Sequence, residues 1–216
     1  MSDYTHAADG KFHTRYSDIA RATPAAAENI ILERLGLKEG FKSTSMEWGT
    51  LSHAIFEEES KATGRWPECF GIDLEATHVE KEFVMELFGG VVVHSRFDLL
   101  SVPDKAIGDV KTMVYVEGLP IEDHAKKYLK HRQLPFYALS AIVNGFDVRW
   151  LYYLVEVWTV ERDLEGKIIR YVDIVGYSTI RREITLAELG EVRSWALGRC
   201  NTLVIAKQMM EAAERI

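Results

Sequence analysis

The sequence predicts a mixed α/β chain, a central sheet flanked by helices with helical segments at both ends. Three observations carry this reading. The apolar period is helical before residue 63, becomes two between 78 and 116, turns helical again to about 144, and repeats that alternation once more. A length of 216 residues, with 47% hydrophobic and 11% aromatic side chains, can bury roughly 70% of the unfolded surface without disulfides or structural metal. No repeat or low-complexity stretch appears, and the five prolines are scattered instead of marking a linker, so one domain is expected over 1–216, with a core at about 46–180 and a flexible start at about 1–14.

The elements follow in order. Residues 17–35 read as a helix capped by Ser17, with Ile19, Ile30, Ile31 and Leu35 apolar and an interruption at Pro24. A second helix covers 46–62 and ends at Gly64. Leu51 and Ile55 form its apolar side, whereas His53, about 200° from each on the helical wheel, shares a face with Gly49 and Glu57. His78–Leu87, Val91–Leu100 and Ala106–Val116 are predicted strands, joined by Gly89-Gly90 and by the turn Ser101-Val102-Pro103-Asp104. Asp104 belongs to that turn, since Pro and Asp are favoured turn residues. A helical segment over 122–144 carries Pro135 as a kink or restart and ends at Asn144-Gly145. Val148–Val160 and Lys167–Thr179 form a hairpin around Glu165-Gly166. A last helix starts near 186, where Thr185 and Glu188 have capping-box spacing.

Several function classes are excluded or disfavoured. No apolar run approaches the roughly 20 residues of a membrane helix, so no membrane partner is expected. The start has no basic-then-apolar signal, which predicts a cytoplasmic protein. Cys69 and Cys200 are too few for a disulfide framework, a four-thiolate zinc site or a four-cysteine iron–sulfur site. The net charge of −7 argues against a sequence-independent nucleic-acid coat but leaves room for a local basic cleft. Lys126, Lys127, Lys130, His131 and Arg132, with Arg181-Arg182, supply local positive charge. Trp48, Tyr115, Phe136 and Tyr152 are candidates for stacking on bases, although strand aromatics are more often core.

The sharpest local signal is Ile107-Gly108-Asp109-Val110-Lys111-Thr112. With period two, Asp109 and Lys111 project from one face. If the hairpin pairs Leu100 with Ile107, Asp98 falls opposite Asp109, and two facing carboxylates repel unless a cation lies between them. A hard divalent cation answers that repulsion, and Lys111 could then stabilise charge developing on a phosphorane. Alone, Asp-x-Lys usually marks a solvated strand face. The weight comes from the conjunction with His53 upstream and with Gln133 and Tyr137 downstream, which lie i and i+4 on one helical face.

Trp48-Gly49-Thr50-Leu51-Ser52-His53, Ser95-Arg96-Phe97-Asp98, Gly108-Asp109-Val110-Lys111-Thr112 and Gln133-Leu134-Pro135-Phe136-Tyr137 resemble the ordered motifs of the PD-(D/E)XK nucleases. The likeness covers roughly 15–155 and is nearest to the RecB-like branch, which includes helicase–nuclease domains and CRISPR-associated exonucleases. The resemblance implies a restriction-endonuclease-like core. It implies His53, Asp98, Asp109 and the Val110 carbonyl as metal ligands, and Lys111 as the catalytic lysine. Gln133 and Tyr137 would touch substrate or buttress that lysine, and either Glu80 or Glu82 would match an acidic position on the first sheet strand. One or two Mg²⁺ or Mn²⁺ ions are the implied cofactors, the histidine nitrogen tilting preference toward Mn²⁺.

Departures from the pattern refine the expectation. Ser95 replaces a usual glycine, Thr23 stands before Pro24 where iron–sulfur members have a cysteine, and only Cys200 remains of the C-terminal cysteines. A member without an iron–sulfur cluster is therefore expected. Its implied activity is hydrolysis of phosphodiester bonds in DNA, single-stranded or at duplex ends, as an exonuclease in repair, recombination or defence. The alternatives are a structure-specific endonuclease and a non-catalytic scaffold subunit, the last disfavoured by the intact acids and lysine. A partner protein or homo-oligomer is compatible with each.

Overall fold

The computed structural model describes residues 11–34, 43–88 and 90–213. Element order is β1 (Phe12–Arg15), α1 (Tyr16–Arg21), α2 (Ala27–Arg34), α3 (Thr44–Thr63), β2 (His78–Phe88), β3 (Val91–Ser101), β4 (Ala106–Val114), a 3-10 run (Ile121–Lys130), α4 (Gln133–Val143), β5 (Trp150–Arg162), β6 (Ile168–Glu183) and α5 (Leu186–Ala213). No helix among the described residues is long and apolar enough to cross a membrane.

The six strands form one mixed sheet in which β3 is the branch point. One edge of β3 pairs antiparallel with β2. Its other edge is shared: β1 runs parallel to it at Val91–His94, and β4 pairs antiparallel with it only at Leu99–Ser101. Ser95–Asp98 thus face a gap between β1 and β4. Leu100 lies opposite Ile107, the pairing expected from the hairpin, but the ladder stops at Leu99–Gly108, one step before the two acids. From β4 the sheet continues in parallel to β5 and antiparallel to β6.

Strand alternation sorts β5 onto two cores. Leu151, Tyr153 and Val155 pack with Leu134, Phe136 and Ala138 of α4, whereas Tyr152 and Leu154 pack with Phe56 of α3 and with Trp66 and Phe70. Full burial of side chains such as Leu134 and Phe136 contributes about 1.5–3 kcal/mol each. Gly108 is required by the second core, because a Cβ there would lie 2.8 Å from the Trp66 ring.

Local differences from expectation have physical causes. The expected flexible start gives way at Phe12 to β1, whose Phe12 and Thr14 side chains are buried against the sheet; residues 1–10 lie outside the described residues. The helix expected over 17–35 is two helices, separated around Pro24. Arg15, not Ser17, is the N-cap of α1, and the buried Asp18 carboxylate accepts from the Arg15 N–H. Ile19, Ile30 and Ile31 are buried, and Leu35 lies outside the described residues. α3 starts earlier than expected, at an unrecognised cap where Ser43 accepts from the Met46 N–H, and it ends on Gly64 at φ +67°. Leu51 and Ile55 do not face the core. They are 51% and 57% exposed, and the buried stripe is Ser52, Phe56 and Ser60. The segment over 122–144 is a 3-10 run followed by a fresh helix, with Pro135 in the first turn of α4, where a missing N–H costs nothing. The Thr185 hydroxyl accepts from the Glu188 N–H, but the Glu188 carboxylate binds the Arg182 guanidinium at 2.6 and 2.7 Å, so only half of the capping box forms.

Candidate metal and phosphodiester site

The site occupies the gap in the sheet, where elements from both faces converge. Asp98 stands at the end of the interrupted ladder, and its carboxylate accepts the Val110 N–H at 2.5 Å, taking the place of a strand carbonyl. Asp109 follows the parity of Ile107 and is 2% exposed. From α3, the His53 imidazole brings Nδ1 to 3.4 Å from Asp98 and 3.9 Å from Glu80. From α4, Gln133 donates to the Tyr137 hydroxyl at 2.9 Å. His53, Asp98, Asp109, Lys111, Gln133 and Tyr137 all line one cleft of about 530 Å³, together with Glu80 and Arg96.

Glu80, not Glu82, is the acid that enters the cluster. The β2–β3 pairing skips Glu80 and Asp98, and Glu80 has φ +51°, a left-handed conformation costing of order 1–3 kcal/mol for an ordinary side chain. Glu82 points instead toward His94, 3.4 Å away. His53, Glu80 and Asp98 offer one nitrogen and two carboxylate donors whose ligand atoms all lie within 4.8 Å of one another. A divalent cation holds such donors at about 2.0–2.2 Å, hence no more than about 4.4 Å apart, so a shift of a few tenths of an ångström would let this group seat one. Asp109 lies outside this trio, bound by the Lys111 ammonium at 2.9 and 2.8 Å. Val110 contributes its N–H to Asp98, while its side chain is buried beside Phe56.

Three acids at the centre of the cleft each face a cation: Asp98 faces His53, Glu80 faces Arg96, and Asp109 faces Lys111, while Glu57 at its side pairs with Lys61. Burial alone would depress the His53 imidazole, but hydrogen bonding and charge from Asp98, helped by Glu80, raise it to about 10. Asp98 is correspondingly lowered: burial opposes ionisation, and the His53 contact and the Lys111 charge outweigh it. Burial pushes Asp109 up to about 6; Lys111 opposes the rise and the Asp98 charge adds to it. Lys111 stays raised, since Asp109 and Asp98 outweigh the cost of its burial. Burial and the nearby Asp109 hold the Tyr137 phenol well above its usual range.

The sequence reading missed a second hollow, of about 470 Å³, where β1 meets α1. It is lined by Arg15, Tyr16, Ser17, Glu82 and His94, and it shares Glu80, Arg96, Gln133 and Tyr137 with the first. Arg96 carried a legible signal, since it has the parity of Asp98. Arg15–Ser17 carried none, because their place depends on β1 pairing with β3 across some eighty residues. Among the aromatic candidates, Phe136 and Tyr152 are buried in the cores, and Trp48 stacks on Tyr171 with ring centroids 5.6 Å apart. Tyr115 is 37% exposed and stacks on His124. Lys126 pairs with Asp123 and Arg182 with Glu188, so part of the expected basic charge is already compensated. Cys69 is exposed and Cys200 buried; both are free thiols, and burial pushes the Cys200 thiol up to about 12.

No family model and no curated protein matches this chain. Solved structures do. A chain from Eubacterium rectale named as an exonuclease is 16% identical with a TM-score of 0.56, covering 96% of this chain and 86% of that one. A phage-related exonuclease from Haemophilus somnus 129PT is 12% identical with a TM-score of 0.54, over 88% and 83%. This chain has their fold. LHK-Exo, an alkaline exonuclease from Laribacter hongkongensis, crystallised with dAMP, is 13% identical with a TM-score of 0.50, over 92% and 90%. At such identities the likeness is one of architecture: the mixed sheet with its flanking helices is common to these exonuclease structures and to the present chain.

Proposed function

We propose that the protein is a divalent-metal-dependent nuclease that hydrolyses phosphodiester bonds in DNA, acting as an exonuclease. The observation that carries this reading is the His53–Glu80–Asp98 donor group beside the Asp109–Lys111 pair, at the floor of an open cleft in a fold shared with exonucleases. The order of the four motifs supports the PD-(D/E)XK assignment and, within it, the RecB-like branch. A soluble cytoplasmic setting fits the composition.

His53, Glu80 and Asp98, with Asp109 lining the same cleft, would hold one or two Mg²⁺ or Mn²⁺ ions, and the Val110 carbonyl is assigned as a further ligand from the motif resemblance alone. When bound, the metal supplies positive charge that polarises the scissile phosphate and lowers the cost of generating a hydroxide nucleophile. The remaining work belongs to side chains. Water attacks phosphorus in line with the departing ribose oxygen. Lys111, kept protonated by Asp109 and Asp98, places an ammonium beside the cleft acids, where negative charge builds on the phosphoryl oxygens. The Gln133–Tyr137 pair forms the α4 wall of the cleft and orients the sugar-phosphate there, the tyrosine remaining a neutral hydrogen-bonding group. LHK-Exo was crystallised with a deoxynucleotide, and deoxynucleotide ends of linear DNA are the substrate assigned here.

End-labelled single-stranded, double-stranded and covalently closed circular DNA, incubated with Mn²⁺, test the reading. Linear substrates should be shortened and the circle left intact, with Lys111→Ala slower by on the order of 10²–10³-fold. Cleavage of the circle would make the enzyme an endonuclease. Wild-type rates in both Lys111→Ala and Asp109→Ala would remove the catalytic assignment.

A further inference from the structure

Arg96 is a cleft residue to which the motifs give no role. It projects from β3 two residues before Asp98, and its side chain is 61% exposed. Its Nε binds the Glu80 carboxylate, and a second nitrogen lies 3.9 Å from Glu57 of α3, which also pairs with Lys61. It lines both hollows and so stands at their junction.

Two features make this ion pair different from an ordinary surface pair. Glu80 is also one of the three donors grouped for a cation, and a carboxylate drawn onto a divalent ion loses negative charge that a guanidinium could share. The Glu80 side chain is also only 11% exposed, held within the cluster. Arg96, by contrast, is largely exposed on a long flexible stem and can move at little cost. Its guanidinium is a planar fork suited to two oxygens of one phosphate.

We propose that Arg96 is a substrate-phosphate ligand that exchanges partners: it neutralises Glu80 while the cluster is metal-free and grips a DNA phosphate at the junction of the two hollows once Glu80 holds a divalent cation. The inference rests on the nuclease reading above and deepens it. It makes metal and DNA binding mutually dependent through one side chain, since each ligand removes a competitor of the other.

The experiment is a set of Mn²⁺ titrations by calorimetry, with and without a short duplex DNA, all in a Lys111→Ala background so that the DNA survives. Arg96→Gln should bind Mn²⁺ alone about two- to five-fold more tightly than its parent, because the competing cation is gone. Its affinity for DNA in the presence of Mn²⁺ should fall about ten-fold. Arg96→Lys, which restores charge without the fork, should return Mn²⁺ affinity to the parental value and recover only part of the DNA affinity. The double variant with Glu80→Gln separates a specific counterion from background charge: the tightening caused by Arg96→Gln should vanish there. Equal tightening in both backgrounds, or DNA affinity unchanged by Arg96→Gln, overturns the proposal while leaving the nuclease reading in place. A parent that binds neither Mn²⁺ nor DNA overturns both.

Discussion

Glu80 and Glu82 lie two residues apart on the same face of β2, and only the first reaches His53 and Asp98. The difference is a single backbone torsion. Glu80 adopts φ +51° where the β2–β3 pairing lapses, which turns its carboxylate into the gap, while Glu82 remains opposite Arg96 in regular pairing. Glu80→Gln should therefore weaken Mn²⁺ binding by about ten-fold or more, and Glu82→Gln should leave it within about two-fold, as read by calorimetry on the full chain. Similar losses in the two variants would place the metal elsewhere. Parity along the strands was readable in the sequence and put Asp109 with Lys111; helical spacing separated His53 from Leu51 and Ile55, although those two residues are exposed and do not form the core face. The choice between two acids of equal parity was not readable, because a positive φ at a glutamate has no local signature. Arg96 had the right parity and was passed over, since a charged residue on a strand face ordinarily meets only water.

At the level of elements, the register assumed for the β3–β4 hairpin holds at Leu100–Ile107, where a slip by one would bury the wrong face, but the ladder ends before Asp98 and Asp109. The close contact beneath it was not legible in the sequence. Gly108 faces the Trp66 ring, which is 2% exposed and braced edge-on by Tyr152 with centroids 5.2 Å apart. In Gly108→Ala, a smaller unfolded ensemble would favour folding by about 0.4–1 kcal/mol, and forcing a methyl group against an immobile ring would oppose it by about 1–3 kcal/mol. The clash dominates, so the variant should melt a few degrees below wild type, since about 1 kcal/mol corresponds to roughly 2–4 °C at this chain length. A melting point at or above wild type would show that the ring can shift. α3 illustrates the opposite failure of pattern reading. It turns Ser52, Phe56 and Ser60 inward because Ser52 donates to the buried Glu156 carboxylate at 2.8 Å, a tertiary bond that hydrophobic periodicity does not register. That bond also anchors the residue next to His53. Pro135, by contrast, was read as a kink or restart, and steric exclusion of proline from helix interiors explains why a fresh helix, α4, begins two residues before it.

On the scale of the whole molecule, the sheet is continuous except where β3 passes from β1 to β4, and the acids and cations of the cleft fill that break in three pairs. This pairing offsets part of the cost of burying those carboxylates in a chain of net charge −7, and it sets how stability responds to pH. The His53 imidazole titrates at about 10 in the folded protein against 6.5 unfolded, so its contribution is fully present below 6.5 and is lost as pH rises through 10. Asp109, raised to about 6 from 3.8, acts in the same direction over its own lower window: its contribution is present below 3.8 and lost as pH rises through 6. A metal ion needs the opposite protonation, with the imidazole nitrogen bare and the carboxylates ionised, so binding at pH 7–9 must expel the His53 proton. The rise in melting temperature caused by saturating Mn²⁺ should accordingly be smallest near pH 6 and grow steadily toward pH 9, with proton release detectable as a dependence of the calorimetric heat on buffer ionisation enthalpy. His53→Asn should abolish most of that pH dependence while leaving a weaker metal response from the remaining acids. A melting shift independent of pH between 6 and 9 would mean that His53 is not displaced from its ion pair, and the donor group formed by His53, Glu80 and Asp98 would not be the metal site.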